Sequence, residues 1–308
     1  MNFFEGATLR IGVDLGGTKI EAIALDGEGR ELRRERVPTP RGDYAGTVRS
    51  IGDLVRDIEA HIGAVGSVGV GIPGTIIRSS GLVKNANSTW LNGMPLEVDL
   101  GAELGREVRC ANDANCFAVS EAVDGAAAGK AVVFGVIVGT GCGGGVALHG
   151  QAHNGPNGLA GEWGHTPLPW AHGEELPGPD CYCGKHGCME NWISGTGLAR
   201  EFAHVTGRPL RGEEIVAAAA AGDVQAQAAL DRLEERMARG LAVIIDVLDP
   251  DVIVLGGGLS KLDRLYRNLP GLVRDMVFGG GAETPILRNM HGDSSGVRGA
   301  AWLWNDRA

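Results

Sequence analysis

The chain has 308 residues, with 28 Lys and Arg against 38 Asp and Glu, a formal net charge of −10. A hydrophobic content of 44% and a charged content of 21% describe a globular protein, long enough for two lobes. An acidic chain without a basic run speaks against nucleic acid as the main partner. No apolar run reaches the ~18 residues of a membrane span, and Met1 to Arg10 has no basic region followed by an apolar core.

Residues 8–14 read as a strand ending on Asp14, and the turn Leu15-Gly16-Gly17-Thr18-Lys19 leads to a second strand at 20–25. A Gly-Glu-Gly turn at 27–29 precedes a third strand at 31–37, so the start is an antiparallel meander that Pro38 and Pro40 end. Val48, Ile51, Leu54, Val55, Ile58 and Ile62 fall at helical spacing within 43–62. A strand at 66–72 ends at Pro73-Gly74. An irregular stretch, a short helix from Leu96 to Leu104 and a strand at 107–111 follow. A helix is expected from Asp113 to about Ala128, capped by Asn112.

Residues 131–138 form a buried strand, Gly139 to Gly145 a glycine turn, and Gly145 to Leu148 another strand. Strand, glycine turn and strand thus occur once in each half, which suggests two lobes of related architecture. Residues 150–190 are loop-like. Helices at 196–204, 212–221 and 223–247 precede a strand at 251–255, the run Gly256-Gly257-Gly258 and a helix. A strand at 284–288 and a helix from Ser295 to Trp304 close the chain.

The turn Asp14, Gly16, Gly17, Thr18, Lys19 offers consecutive backbone N–H groups to a phosphate, and Asp14 could hold a metal-bound water. It lacks the P-loop spacing, and it leads to a strand rather than a helix. Gly139, Thr140 and Gly141 begin a second such turn, where five glycines in seven residues cost more backbone entropy than a plain hairpin needs. Gly256, Gly257 and Gly258 suit either a nucleotide base and ribose or tight packing.

Asp113 lies in the first turn of a helix, where an Asp is often only a charge near the helix dipole. Asn112 and Asn115 frame it with donors and acceptors suited to a polyol. A carboxylate there can take the proton of an alcohol as the bond to phosphorus forms. His165, Cys181, Cys183 and Cys188 follow the spacing H-x15-C-x-C-x4-C, that of a closed structural zinc site. His186 lies between the ligands and is expected to point out. Glu162 and Glu190 flank the cluster, either as surface carboxylates or as acceptors for sugar hydroxyls. Asn85, Asn87, Ser88, Thr89 and Trp90 make a polar loop that suits a sugar. Cys110 and Cys116 read as small buried hydrophobes, and Cys142 as incidental.

Asp14 to Lys19, Gly139 to Gly145, Glu162-Trp-Gly-His165 and Cys181 to Glu190 together resemble the motifs of the ROK family of sugar kinases and sugar-responsive repressors, in the family's order. Lys84 to Asn92, Ala111 to Cys116, Ser120 to Gly129 and His291 to Trp302 look like its bacterial fructokinases, also called manno(fructo)kinases. The resemblance implies a two-lobed α/β fold of the actin-like ATPase (ribonuclease H-like) type with a cleft between the lobes. The smaller lobe would be 1–111 plus 295–308, and the larger 112–294 with a zinc loop at 162–190. It implies a homodimer that uses ATP and Mg²⁺; structural Zn²⁺, a cytoplasmic location with reduced thiols, and no nucleic acid or membrane partner are expected from the Cys/His spacing, the cysteines, the charge and the lack of a long apolar run. Asp113 would be the base, and Asn112, Glu162, His165 and Glu190 would hold the sugar, with Gly74 and Asn87 as further contacts. His165 would give one ring nitrogen to zinc and the other to a sugar hydroxyl. The insert from Thr166 to Asp180 is longer than in many members.

The expected reaction is phosphorylation of a hexose at its 6-hydroxyl, with fructose first and mannose beside it. Kinases for glucose, N-acetylglucosamine or N-acetylmannosamine are the alternative. A repressor of the same family would carry a helix-turn-helix ahead of the first strand, for which Met1 to Ala7 leave no room. A zinc-stabilised binding protein without catalysis would not need Asp113 and both phosphate turns.

Overall fold

A computed structural model describes residues 9–305 of the chain. Thr8, at the expected start of the first strand, and the segment Met1 to Ala7 lie outside the described residues. The chain divides into two units. The first holds residues 1–131, 145–160 and 293–308, and the second holds 132–144 and 161–292.

In the first unit, β1 (Arg10–Leu15), β2 (Lys19–Leu25) and β3 (Glu31–Pro38) form the expected antiparallel meander. β4 (Ser67–Ile72) and β7 (Val108–Asn112) add to it in parallel, giving the order β3-β2-β1-β4-β7. A hairpin of β5 (Thr75–Ile77) and β6 (Leu82–Lys84) occupies the stretch that looked irregular in the sequence. Helix α1 (Tyr44–Ile62) starts where Asp43 accepts the Gly46 N–H at 2.8 Å and stops at Gly63, whose φ of 78° suits a residue without Cβ. Its apolar stripe and that of α2 (Leu96–Leu104) join Ile11, Val13, Val68 and Val70 in one core.

Helix α3 (Asp113–Val123) and helix α9 (Ser295–Ala301) belong to the same unit, where α9 packs on α3, β1 and β4. Glycines make that approach possible. A Cβ on Gly12 would lie 2.1 Å from the Val297 carbonyl oxygen, one on Gly69 1.9 Å from that of Ala300, and one on Gly299 1.6 Å from that of Cys116. The expected boundary after residue 111 therefore differs from the observed division. The chain stays in the first unit through residue 131 because α3 is bound there by α9, and 145–160 return to it. Helix α3 also stops at Val123, before the expected Ala128.

The second sheet runs β10 (Gln151–Ala152), β9 (Cys142–Leu148), β8 (Val132–Val138), β11 (Val252–Gly256), β12 (Ile286–Arg288), with β8, β11 and β12 parallel. The chain passes from the second unit to the first within β9. Each sheet places three strands from a meander first and two parallel strands after them, so the repeat suggested by the glycine turns extends to sheet order. Helices α4 (Glu190–Ile193), α5 (Gly195–Thr206), α6 (Gly212–Ala220), α7 (Val224–Leu248) and α8 (Asp263–Met276) complete the second unit. Among the described residues no helix is long and apolar enough to cross a membrane.

Candidate functional site

In the first unit the parallel strands β1, β4 and β7 all end on one edge, at Leu15, Ile72 and Asn112, the edge where ligands bind in open α/β sheets. Asp14 and Asp113 both stand there. Asp14 is half-buried, and its carboxyl is pushed up to about 6, first by desolvation and then by the charges of Asp113 and Glu21, with Lys19 opposing. Asp113 is exposed at the start of α3, where its Oδ1 accepts the Ala114 N–H at 2.8 Å.

The turn between β1 and β2 is tight. The Gly16 N–H donates to the Lys19 carbonyl at 3.0 Å, and a Cβ on Gly16 would lie 2.9 Å from that oxygen. Gly17, Thr18 and Lys19 are exposed. Thr39 braces the turn from outside: its hydroxyl donates to the Gly16 carbonyl at 2.7 Å and its N–H to the Thr18 carbonyl at 3.1 Å. Lys19 pairs with Glu21 at 3.3 Å, and Glu21 is also held by Arg34 and Arg36. Thr39 and Glu21 carry no motif signal, so sequence reasoning missed both.

The asparagines around Asp113 divide their work. Asn112 caps α3 through the Ala114 N–H at 2.9 Å and donates to the Gly74 carbonyl at 2.9 Å, which leaves one amide N–H for a ligand. Asn115 is buried, accepts from the Val146 N–H at 3.0 Å and donates to Asn154 at 2.9 Å. Its amide therefore holds chain segments together, which corrects the expectation that it faces a polyol. Gly74 has φ 73°, and a Cβ there would lie 2.3 Å from the Lys84 carbonyl oxygen, so glycine is demanded by the fold itself. Asn87 is exposed on a loop that Asn92 pins by bonds of 2.9 Å to both the N–H and the carbonyl of Ala86.

In the second unit the Gly139–Gly141 turn joins β8 to β9. The Gly195 N–H donates to the Gly139 carbonyl at 2.7 Å, and the Thr196 hydroxyl to that of Thr140. Glu190, at the start of α4, reaches this hairpin and accepts the Cys142 N–H at 2.9 Å; a Cβ on Gly141 would lie 2.6 Å from the same carboxylate. Glu162 is exposed, and Trp163 next to it donates to the Gly143 carbonyl at 3.1 Å. Gly257 has φ 83° and would place a Cβ 2.5 Å from the Val138 carbonyl oxygen, so it serves tight packing, whereas Gly258 meets no such limit and leaves room for a ligand. Gly256 is the last residue of β11.

The ligand atoms of His165, Cys181, Cys183 and Cys188 lie within 4.8 Å of one another. Nδ1 of His165 is 3.5 Å from the Cys181 sulfur, and the Cys183 and Cys188 sulfurs are 3.6 Å apart. A tetrahedral zinc with arms of ~2.3 Å to sulfur and ~2.05 Å to nitrogen sets edges of about 3.6 Å for S–N and about 3.8 Å for S–S. The cluster fits that ion. His186 pairs with Asp180 at 2.7 Å and takes no part in the cluster.

Nε2 of His165 hydrogen-bonds the Tyr182 hydroxyl at 2.8 Å, so the nitrogen expected to face a sugar meets a phenol. The phenol is pushed up to about 12 by burial of its polar end, then by the charges of Glu190, Cys181, Glu162 and Cys183. The insert from Thr166 to Asp180 is anchored from below. Glu175 is buried with Arg236 and Arg239 of α7, and Arg239 also donates to the carbonyls of Pro169 and Trp170 at 3.1 and 3.2 Å. Sequence spacing gave no signal for Tyr182 or Glu175. Cys116 and Cys142 are buried and Cys110 is partly so; all three thiols are pushed up by desolvation.

The ROK family pattern matches residues 10–307. Over 296 residues, 95% of this chain, the sequence is 42% identical to the N-acetyl-D-glucosamine kinase of Vibrio cholerae, with 98% of that protein covered. It is 40% identical to that of Pectobacterium atrosepticum, again over 95% of this chain and 97% of the relative. The structure is similar to the ROK hexokinase from Thermus thermophilus, with a TM-score of 0.86 and 32% identity over 96% of this chain and 97% of that one. A ROK family glucokinase from Streptomyces griseus, in complex with glucose and AMPPNP, gives 0.75 and 31% over 96% and 98%. A family pattern over nearly the whole chain, with relatives of this identity along its length, makes this protein a member of the ROK family, one of its sugar kinases.

Proposed function

We propose that the enzyme transfers the γ-phosphoryl group of MgATP to the 6-hydroxyl of N-acetyl-D-glucosamine. The observation that carries the choice of sugar is the set of N-acetyl-D-glucosamine kinases 40–42% identical to this chain over 95% of its length. Short stretches between Lys84 and Trp302 suggested fructose; identity along the whole chain outweighs them. Fructose and mannose are therefore set behind the amino sugar.

Asp113 takes the proton of the attacking hydroxyl, because an alcohol is a poor nucleophile until its proton is accepted. Its place in the first turn of α3, exposed and beside Asp14, supports that role. Asp14 in its ionised form positions a water of the nucleotide's Mg²⁺. Each unit offers backbone N–H groups suited to phosphate at its glycine turn, Gly16 to Lys19 in the first and Gly139 to Gly141 in the second, and in the second Gly258 leaves room for the nucleoside. Within the first unit Asn112, Asn87 and the Gly74 segment are the candidate sugar contacts; within the second they are Glu162, His165 and Glu190. Zinc, bound by His165, Cys181, Cys183 and Cys188, supplies structural closure of its loop and no step of the reaction.

The test is ADP release with MgATP and zinc-replete enzyme against N-acetylglucosamine, N-acetylmannosamine, glucose, mannose and fructose. The highest kcat/KM is expected for N-acetylglucosamine. A higher value for fructose would restore the subgroup expectation, and turnover of none of them would remove the kinase reading for these sugars.

A further inference from the structure

Ser88 begins the short helical turn Thr89–Leu91 as its N-cap, yet its hydroxyl makes no capping bond. A Ser at such a position ordinarily spends its oxygen on a backbone N–H of the turn it starts. Ser88 is 3% exposed, and its hydroxyl has no hydrogen-bond partner among the described residues. Burying a hydroxyl without a partner is unfavourable, so one kept that way points to a partner that arrives with a ligand.

The hydroxyl faces the glycine turn between β1 and β2, in the same unit. Apart from its chain neighbours, a Cβ on Gly17 would meet one atom within 4 Å, the Ser88 Oγ at 3.5 Å. The space that glycine leaves open at position 17 is therefore bounded by that hydroxyl. The N–H groups of Gly17 and Thr18 are exposed in this turn and bond to no carbonyl among the described residues. An anion held by them over Gly17 lies within reach of Ser88. The loop that carries Ser88 is fixed on both sides of it. Asn92 bonds the N–H and the carbonyl of Ala86 at 2.9 Å, Trp90 donates to the Thr47 hydroxyl of α1 at 3.3 Å, and Leu91 is fully buried.

We propose that Ser88 is a phosphoryl-binding residue, whose hydroxyl donates to an oxygen of the γ-phosphoryl group being transferred. An ionised phosphoryl oxygen only accepts, which suits an O–H that nothing else uses. The terminal group is chosen because Asn87, one residue earlier, is a candidate sugar contact, and the terminal phosphoryl is the one that meets the sugar. The inference rests on the reading that Gly16 to Lys19 hold phosphate, and it does not depend on which hexose is preferred.

The experiment compares wild type and Ser88→Ala in equilibrium binding of ADP, AMPPNP and the hexose the wild type prefers, and in turnover of that hexose with MgATP. AMPPNP keeps the terminal phosphoryl group that ADP lacks. The expected result is a Kd for AMPPNP raised roughly 10-fold, as for one lost hydrogen bond to a charged group, with unchanged Kd for ADP and for the hexose and a kcat lowered roughly 10–100-fold. Equal weakening of ADP and AMPPNP overturns the proposal, because Ser88 would then support the turn rather than touch the terminal group. Weaker hexose binding with AMPPNP unchanged overturns it by making the hydroxyl a sugar ligand. A wild type that binds neither nucleotide overturns the phosphate reading of the turn and Ser88 with it. A wild type that binds AMPPNP and turns over hexose, matched by the variant in both, overturns Ser88 alone.

Discussion

Replacing Glu175 by Gln tests how the zinc-loop insert is held. Glu175 is 7% exposed, Arg236 5% and Arg239 3%. Its carboxylate accepts from Arg236 Nε at 2.8 Å and from Arg239 Nη2 and Nη1 at 2.6 and 2.8 Å. Burial opposes its charge, but the two guanidiniums dominate and bring the carboxyl from 4.5 down to about 2. A depression of about 2.5 pH units corresponds to about 3 kcal/mol at neutral pH. That agrees with the ~3–5 kcal/mol for removing one partner of a buried ion pair. Glu201 and Glu235 still pair with the two arginines, which favours the lower end. Because the folded value is depressed, this stability is present above the unfolded value and is lost as pH falls through the folded one. At pH 3 about 1.4 kcal/mol remains. The assay is urea unfolding followed by tryptophan fluorescence, to which Trp192, whose ring lies under Arg236 at 4.5 Å, contributes. The wild type should exceed Glu175→Gln by about 3 kcal/mol at pH 7 and by about half that at pH 3. A difference below about 1 kcal/mol at pH 7, or one that does not shrink with acid, refutes the account of the clamp.

Asp113→Asn should keep the fold and lose ~10²–10⁴-fold in kcat, the usual share of a general base, with nucleotide affinity unchanged; near wild-type turnover removes Asp113 from that role. Asp14 carries its proton up to about 6 in the folded protein, and the reaction needs it ionised, so kcat/KM for MgATP should fall as pH drops through about 6. A profile flat to pH 5 contradicts either the burial that raises Asp14 or the need for its ionised form. Chelation of zinc should expose 165–188 to hydrogen exchange and raise the KM for sugar, and addition of zinc should restore both; a fully active metal-free enzyme would show that the cluster does not organise this loop.

Much of this protein was legible in its sequence because the relevant signals are local. The meander from Arg10 to Pro38 follows from strands separated by short glycine turns. Helix α1 begins and ends at Asp43 and Gly63 for capping reasons visible in single residues. The four candidate metal ligands are named by their chemistry and spacing, and the fold brings their ligand atoms within 4.8 Å of one another. The family follows from motifs in fixed order.

Other features were decided only by tertiary structure, since they depend on residues far apart in the chain. Glu175 meets Arg236 and Arg239 across 61 and 64 positions, and Thr39 braces Gly16 across 23. Asn115 looks in sequence like Asn112, yet burial commits its amide to Val146 and Asn154 while Asn112 keeps an N–H free. The glycines at 12, 69 and 299 have no turn to explain them until α9 comes to lie against the backbone of β1, β4 and α3. The unit boundary follows from that same contact and not from composition. A side chain's partner is set by where the backbone carries it, and sequence spacing reports this only within one strand, turn or helix.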